Sequence, residues 1–462
     1  MNIKPPELLL PAGSLKRMRA AYDFGADAVY AGQPRYSLRA RNNEFRLEQL
    51  AQGIDEAHQR GKKFFVTSNL IAHNDKLRTY LRDLQPVVEL RPDALIMADA
   101  GLIMLVREQM EKGLWPEVPI HLSVQANTTN SAAVKFWHKQ GVARVILSRE
   151  LSLDEVSAIR NDCPEVELEV FVHGALCIAY SGRCLLSGYF NRRDPNQGTC
   201  TNACRWEYKT LEATTATDTG EAAPVQQLDS DFNFAKEDEE AANAFGPTCG
   251  GGPRHPLADR VWMLEEKERP GELMPIMEDE HGTYIMNSKD LRAVEHVARL
   301  AQIGIDSLKI EGRTKSHYYV ARTAQTYRRA IDDAMAGRPF NPELLLELES
   351  LSNRGYTGGL LERRPSQDHQ NYLNGSSTTQ RSQFVGEVRQ VREDGWVEVE
   401  TMNRFAVGDR LEVIHPSGNR TVSLQAMRNQ AGSAIEVAQG NPSRVWVPLE
   451  GPAQGALIAR LS

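Results

Sequence analysis

Through the first 175 residues the chain repeats one alternation of apolar and polar positions. A short β-branched or Leu-rich run is followed by a polar turn and then by a segment with apolar residues at helical spacing. The runs are "ELLLP", "DAVYAG", "KFFVTS", "DALIM", "IHLSV", "RVILS" and "LEVFVHG". In "SLKRMRAAYDFGA" Leu15, Met18 and Tyr22 fall on one helical face. "SLDEVSAIRND" opens with Ser152 and Glu155 at the spacing of a capping box. The rhythm stops after the seventh run and resumes about 110 residues later with "LRAVEHVARLAQIG", "SLKIEG" and "HYYVARTAQTYRRAIDDAMAG". Val320, Ala324, Tyr327, Ile331 and Met335 form a stripe on the last segment, which predicts core packing. Eight strand-then-helix units predict an α/β fold, a (β/α)8 TIM-like barrel. An open doubly wound sheet would carry G-x-G-x-x-G after its first strand, and "PAGSLK" lacks it.

The interruption then becomes an insertion after strand seven, at the C-terminal mouth where barrel enzymes build their sites. Its stretch 211–245 is rich in Thr, Ala and Glu and is expected to be a loop. From about residue 382 the apolar period changes to two. "FVGEVRQV", "WVEVET", "GDRLEVI", "TVSLQAM", "AIEVAQ" and "RVWVPLE" predict a small antiparallel β-barrel. The expected organisation is a barrel over 1–338 with its insertion at about 175–290, a connector over 339–381, and a C-terminal domain over 382–462.

Composition adds limits. With 41% hydrophobic and 25% charged residues the chain reads as an ordinary globular protein. No run approaches about 18 apolar residues and the start does not read as a signal peptide, so a cytoplasmic location without membrane contact is expected. Net charge is -7, which speaks against a nucleic-acid partner only on average, because the charge is uneven. "RYSLRARNNEFR" and "IEGRTKSHYYVARTAQTYRR" are basic with aromatics interleaved, and a local basic face binds a polyanion on an acidic chain.

Four of the six cysteines fall within 28 residues, spaced Cys177-x6-Cys184-x15-Cys200-x3-Cys204. In a reducing compartment such a cluster holds a metal or does chemistry. Four thiolates suit one iron–sulfur cluster or one zinc; the first gap is long for zinc, and buried or reactive thiols stay open. Cys163 and Cys249 read as incidental. A cysteine nucleophile would need a base, and His173 lies four residues before Cys177.

"EVFVHGALCIAYSGRCLLSGY" resembles the signature of the collagenase-like U-type peptidase family, through Glu169, Phe171, Gly174, Ala175, Cys177, Gly182, Cys184 and Ser187. The blocks "HLSVQANTTN" and "SLKIEGRTKSHYYVARTAQTYRRAID" extend the resemblance over nearly the whole chain. "NQGTCTNACRWEY" and "MNSKDL" look most like its tRNA-hydroxylating branch. The resemblance implies prephenate-dependent hydroxylation of the wobble uridine of tRNA to 5-hydroxyuridine, the first step toward 5-carboxymethoxyuridine. It also implies a [4Fe-4S] cluster. Cys177, Cys184 and Cys200 match the first three ligand positions. In a related branch the fourth lies where this chain has Ser288, and Cys204 is the substitute expected here.

This reading assigns the anticodon loop of tRNA and prephenate as partners, with iron–sulfur assembly machinery supplying the cluster. A splayed base stacks on aromatics and offers its edges to polar groups, and two carboxylates call for Arg. Candidate catalytic residues at strand ends are Gln125, Arg149, His173, Lys309, Glu311 and Arg313, with Asn69 beside them. Arg39, Arg41, Arg46, Lys315 and Arg322 are candidates for RNA phosphates. Two alternatives stand: a peptidase using Cys177, Cys184 or a metal-activated water, and a non-catalytic RNA-binding protein with a structural cluster.

Overall fold

The computed structural model describes residues 4–38, 44–176, 180, 183–184, 208–213, 225–227, 262–266, 273–276, 289–353, 355–362, 382–440 and 443–461. Seven strands open the fold: β1 (Glu7–Pro11), β2 (Ala28–Gly32), β3 (Lys63–Ser68), β4 (Ala94–Met97), β5 (Ile120–Leu122), β6 (Arg144–Ile146) and β7 (Glu167–Ala175). Between them lie helices α1 (Leu15–Asp23), α2 (Leu47–Gln59), α3 (Asn74–Glu89), α4 (Ala100–Glu111), α5 (Ser131–Lys139) and α6 (Leu153–Asp162). The strands are covered on both faces and so are almost continuously apolar. Side-chain caps start many of the helices: Ser14, Asp99, Asn130 and Ser152 each accept from a backbone N–H three residues on. At Ser152 the reciprocal Glu155 contact completes the capping box.

The insertion carries β8 (Tyr208–Ala213), β9 (Val225–Gln227), β10 (Trp262–Glu266) and β11 (Leu273–Ile276). They form a four-stranded antiparallel sheet in the order β11-β10-β8-β9. Within the stretch 211–245, expected to be a loop, residues 211–213 and 225–227 are strand. They pair with each other, and the first pairs with β10 as well, over separations that local pattern does not report; the rest of the stretch lies outside the described residues.

The chain returns through β12 (Asp290–Arg292), α7 (Val297–Ile303) and β13 (Ser307–Ile310) to α8 (His317–Met335). Strand β13 pairs in parallel with both β1 and β7 and closes an eight-stranded parallel barrel, as the pattern predicted. The last three residues of β7 pair antiparallel with β12, His173 while still paired with Ile310 of β13 and the next two beyond the barrel, and β12 in turn pairs with β14 (Tyr356–Thr357). A short helix, α9 (Glu343–Glu349), precedes β14.

The C-terminal region contains β15 (Ser382–Val391), β16 (Trp396–Thr401), β17 (Phe405–Ala406), β18 (Arg410–Ile414), β19 (Arg420–Ser423), β20 (Arg428–Asn429), β21 (Val437–Ala438), β22 (Arg444–Pro448) and β23 (Leu457–Leu461). Seven of these make one antiparallel sheet, β19-β18-β23-β15-β16-β22-β20, and β17 pairs with β21. Strand β23 lies near the middle of that sheet although the period-two reading stopped before it. Its "LIARL" is too short an alternation to stand out.

Helix α8 explains how this sheet meets the barrel. Its predicted stripe is core, with Val320, Ala324, Tyr327 and Ile331 fully buried. The opposite face is buried too. Tyr318 stacks on Phe384 with ring centroids 4.8 Å apart, Arg322 donates to Glu412 at 2.8 Å, and Gln325 donates to the His415 carbonyl at 3.0 Å.

Candidate active site

Inside the barrel the apolar strands are interrupted by ionised groups. Arg144, at the start of β6, donates to Glu7 at 2.6 Å, to Glu167 at 2.8 Å and to Glu169 at 3.1 Å. Glu169 is 0% exposed and also accepts from Lys309 Nζ at 2.7 Å. The Lys309 ammonium lies 4.4 Å from the centre of the Tyr30 ring and 5.4 Å from that of Phe171. Burial lowers the Lys309 pKa, and the Glu169 carboxylate offsets only part of that. Burial opposes charge on Arg144 as well, but Glu169 and Glu7 outweigh it and its pKa is raised. His121 lies among these cations, buried edge-on to Phe65, and burial first and Arg144 second hold it well below its ordinary value.

Lys309 therefore sits in an ion pair within the barrel. The next residues of its strand reach the mouth. The single O–H of Tyr30 is shared between two acceptors, the Ile310 carbonyl at 2.9 Å and the Glu311 carboxylate at 3.1 Å. Arg313 donates to Ser37 Oγ at 2.8 Å, Thr67 Oγ1 at 3.0 Å and the Leu38 carbonyl at 2.6 Å. Those bonds make it a brace between the ends of β13 and β3 and the loop after β2.

Around the mouth from β2 to β5 amides and hydroxyls form a hydrogen-bonded network, and a carboxylate beside it, Asp99 after β4, is held by the Ala72 N–H at 3.1 Å and the Leu102 N–H at 3.0 Å. Gln33 donates to Ser68 Oγ at 2.7 Å, and Ser37 Oγ and Thr67 Oγ1 are 2.8 Å apart. Asn69 Oδ1 accepts from the Leu38 N–H at 3.2 Å, and Asn69 Nδ2 donates to Gln125 Oε1 at 2.6 Å. Gln125 lies in a 3-10 turn at the end of β5, so this bond reaches across the end of β4. Arg149, half-buried after β6, stacks its guanidinium 3.9 Å over Phe171 and donates to the Ala175 carbonyl at 3.3 Å. It borders a crevice lined by Ser148, Phe171, Leu176, Leu291 and Leu361.

His173 is the clearest departure from the sequence reading. The register of β7 against β13 shifts between Lys309 and Ile310, so alternation fails there. The His173 ring packs against Tyr319 and Tyr327 of α8 and against Tyr356, with centroids 5.5–5.8 Å apart. Its Nδ1 is 3.4 Å from the Tyr327 hydroxyl, which donates to the Val172 carbonyl at 2.7 Å. Burial, reinforced by Lys315 and Arg292, pushes its pKa down to about 3. Its ring is neutral at pH 7 and packs on the helix side of the strand, with Nε2 buried and without a hydrogen-bond partner among the described residues, while Cys177, the thiol it would serve as base, lies outside them. The following Gly174 has φ of +104°, and a Cβ there would stand 2.5 Å from the Glu311 carbonyl oxygen.

The basic candidates separate as well. Arg46 is exposed at the start of α2. Lys315 is half-buried over Tyr319, 5.3 Å from its ring centre. Arg322 is 2% exposed and committed to Glu412, so it is a bridge to the C-terminal sheet and is not placed to meet phosphate. It falls on the basic side of α8, but the C-terminal sheet covers that side. Arg39 and Arg41 lie outside the described residues, as do Cys177, Cys200, Cys204 and Ser288. Cys184 is described and half-buried. Among the described residues no group of three or more His, Cys, Asp or Glu is placed to hold a metal.

The strand-end reading missed Arg144, Tyr30 and His121, and noted Glu169 only as part of a motif. A signal was present: an ionisable or polar residue in a short, otherwise apolar strand, as in "RVIL", "IHLS" and "SLKIEG".

A closed parallel barrel with a polar network at the C-terminal ends of its strands has the architecture of a barrel enzyme. The chain belongs to peptidase family U32: the family's model matches residues 13–371, and that of the U32 C-terminal domain matches residues 380–460. A relative in Escherichia coli named tRNA hydroxylation protein P is 57% identical over 451 residues, covering 96% of this chain and 94% of the relative. The protein of the same name in Haemophilus influenzae is 56% identical over 447 residues, covering 96% and 93%. A 23S rRNA 5-hydroxycytidine synthase of Escherichia coli is 30% identical over 326 residues, covering 71% of this chain and 39% of that protein. No helix among the described residues is long and apolar enough to cross a membrane.

Proposed function

We propose that this protein hydroxylates tRNA, converting the wobble uridine to 5-hydroxyuridine with prephenate as co-substrate and a [4Fe-4S] cluster as cofactor. The observation that carries the reading is the near full-length likeness to two proteins named for tRNA hydroxylation. The amide and hydroxyl network of Gln33, Ser68, Asn69, Ser123 and Gln125 supports it, because a nucleobase edge is recognised by such groups. Replacing the C5–H of uracil by C–O is a two-electron oxidation, which amino-acid side chains do not supply alone. The four clustered cysteines are the donor set for a cluster, which would supply redox or Lewis-acid chemistry; Cys177, Cys184, Cys200 and Cys204 would hold it. Arg149 is the cation best placed to meet a co-substrate carboxylate at the edge of the mouth.

The test is anaerobic purification with iron and sulfide counted per chain, followed by assay of tRNA lacking the modification. The proposal expects close to four irons and four sulfides, and expects Cys184→Ser to lose cluster absorption and 5-hydroxyuridine together. Full hydroxylation by a cluster-free protein would remove the cofactor from the reading. Salt-sensitive tRNA binding without turnover under any co-substrate would instead favour a binding protein.

A further inference from the structure

Gln125 is held in one orientation by a chain of hydrogen bonds that begins at the backbone. The Leu38 N–H can only donate, so Asn69 presents Oδ1 to it and Nδ2 to the far side. Asn69 Nδ2 then donates to Gln125 at 2.6 Å, and Ser123 Oγ donates to the same oxygen at 3.1 Å. The accepting atom must be Oε1, so the amide cannot flip without breaking the relay. Its Nε2, with two N–H donors, is left buried and without a hydrogen-bond partner on a residue only 6% exposed. A buried donor left unmade costs about 1–3 kcal/mol, so such a group is normally completed by an ordered water or by a ligand that displaces it. The same turn carries a buried acceptor without a partner, Asn127 Oδ1, on a residue held at φ of +51°.

We propose that Gln125 reads the base edge, donating to a ring carbonyl and so selecting uridine over cytidine; this rests on the tRNA-hydroxylase reading. The surroundings favour a neutral ligand over a carboxylate. Asn69, Ser123 and Gln125 are uncharged, and Arg313, the nearest braced cation of this network, spends its bonds on Ser37, Thr67 and Leu38. Uracil presents a carbonyl oxygen at C4 where cytosine presents an amino group, so an oriented N–H donor accepts the first and repels the second. Asn69 is a positioning residue: it fixes which end of the Gln125 amide faces the base.

The experiment compares the wild type with Gln125→Glu and Asn69→Asp on two tRNA transcripts that differ only in a wobble U or C, with nucleosides quantified by mass spectrometry. Gln125→Glu replaces donor by acceptor in the same shape. It should lower kcat/KM on the U transcript by about 10- to 100-fold, with tRNA binding within about threefold of wild type. In Asn69→Asp the new carboxylate requires a donor from Gln125, so the amide turns its oxygen to the base. Its U-to-C preference should fall by about tenfold or more while thermal stability stays near that of wild type, an outcome that a merely structural role would not give. An unchanged U-to-C ratio in folded Asn69→Asp and Gln125→Glu would overturn the proposal. A rise in KM for prephenate alone would also overturn it and assign the donor to a carboxylate. A wild type that hydroxylates neither transcript counts against the tRNA-hydroxylase reading and is thereby distinguished from failure of this inference.

Discussion

The ion pairs inside the barrel are unequal, and the inequality makes a sharp prediction. Glu169 is shared by Lys309 at 2.7 Å and Arg144 at 3.1 Å, whereas Arg144 also holds Glu7 and Glu167. Glu169→Gln therefore leaves Arg144 paired and strips Lys309 of its ion-pair partner inside the barrel. The buried amine then loses its proton. From an ordinary lysine pKa of about 10.4, deprotonation at pH 7 costs roughly 4.6 kcal/mol, at 1.36 kcal/mol per unit. That figure is a ceiling, and it agrees with the roughly 3–5 kcal/mol lost when one partner of a buried pair is removed. Lys309→Met leaves Glu169 still bonded to Arg144 and should cost only about 1–2 kcal/mol. Combining the two substitutions should recover much of the loss from Glu169→Gln.

The sign with pH follows from Lys309. Without its partner its folded pKa falls far below the unfolded value, so the unfolded chain binds the extra proton. Stability of Glu169→Gln should then rise with pH relative to wild type, by up to about 1.4 kcal/mol per unit until the unfolded pKa near 10.4. Equilibrium urea unfolding of the four proteins at pH 7 and pH 9 reads both effects. Equal losses for Glu169→Gln and Lys309→Met, with no narrowing of the deficit at pH 9, would refute the reasoning.

Three further outcomes follow from the same geometry. Gly174→Ala should destabilise by more than about 1 kcal/mol and lower hydroxylation, because its Cβ would displace the Glu311 carbonyl from 2.5 Å; a thermal scan beside the activity assay checks this. His173→Phe should leave the neutral-pH activity profile intact. Because burial holds the His173 pKa near 3, the wild type loses stability as pH falls below about 6.5 toward 3, and acid unfolding of the variant should be less steep. Arg322→Met, with Glu412 kept, should loosen the C-terminal sheet from α8, read as faster limited proteolysis within 382–462 at unchanged barrel circular dichroism.

Element type and order were legible because each barrel strand is an apolar run and the longer helices carry an apolar stripe, several of them with a side-chain cap at the start. What escaped depends on tertiary register. The shift between Lys309 and Ile310 sends His173 to the helix side, and no local pattern in "EVFVHG" marks it. Arg322 looked like a rim cation because helical periodicity shows one face of α8 at a time, and the C-terminal sheet covers the other. Asn69 and Gln125 were legible as strand-end polar residues. Their relay was not, since it joins residues 56 apart in sequence. The cysteine spacing remains a sequence-level argument, with three of the four ligands outside the described residues.

The most direct test of the central claim is mass spectrometry of nucleosides from unmodified tRNA incubated with the anaerobically purified protein and prephenate. The account predicts one added oxygen on the wobble uridine, dependent on prephenate and absent without enzyme. Unmodified tRNA recovered from a cluster-loaded protein that instead cleaves gelatin would contradict it.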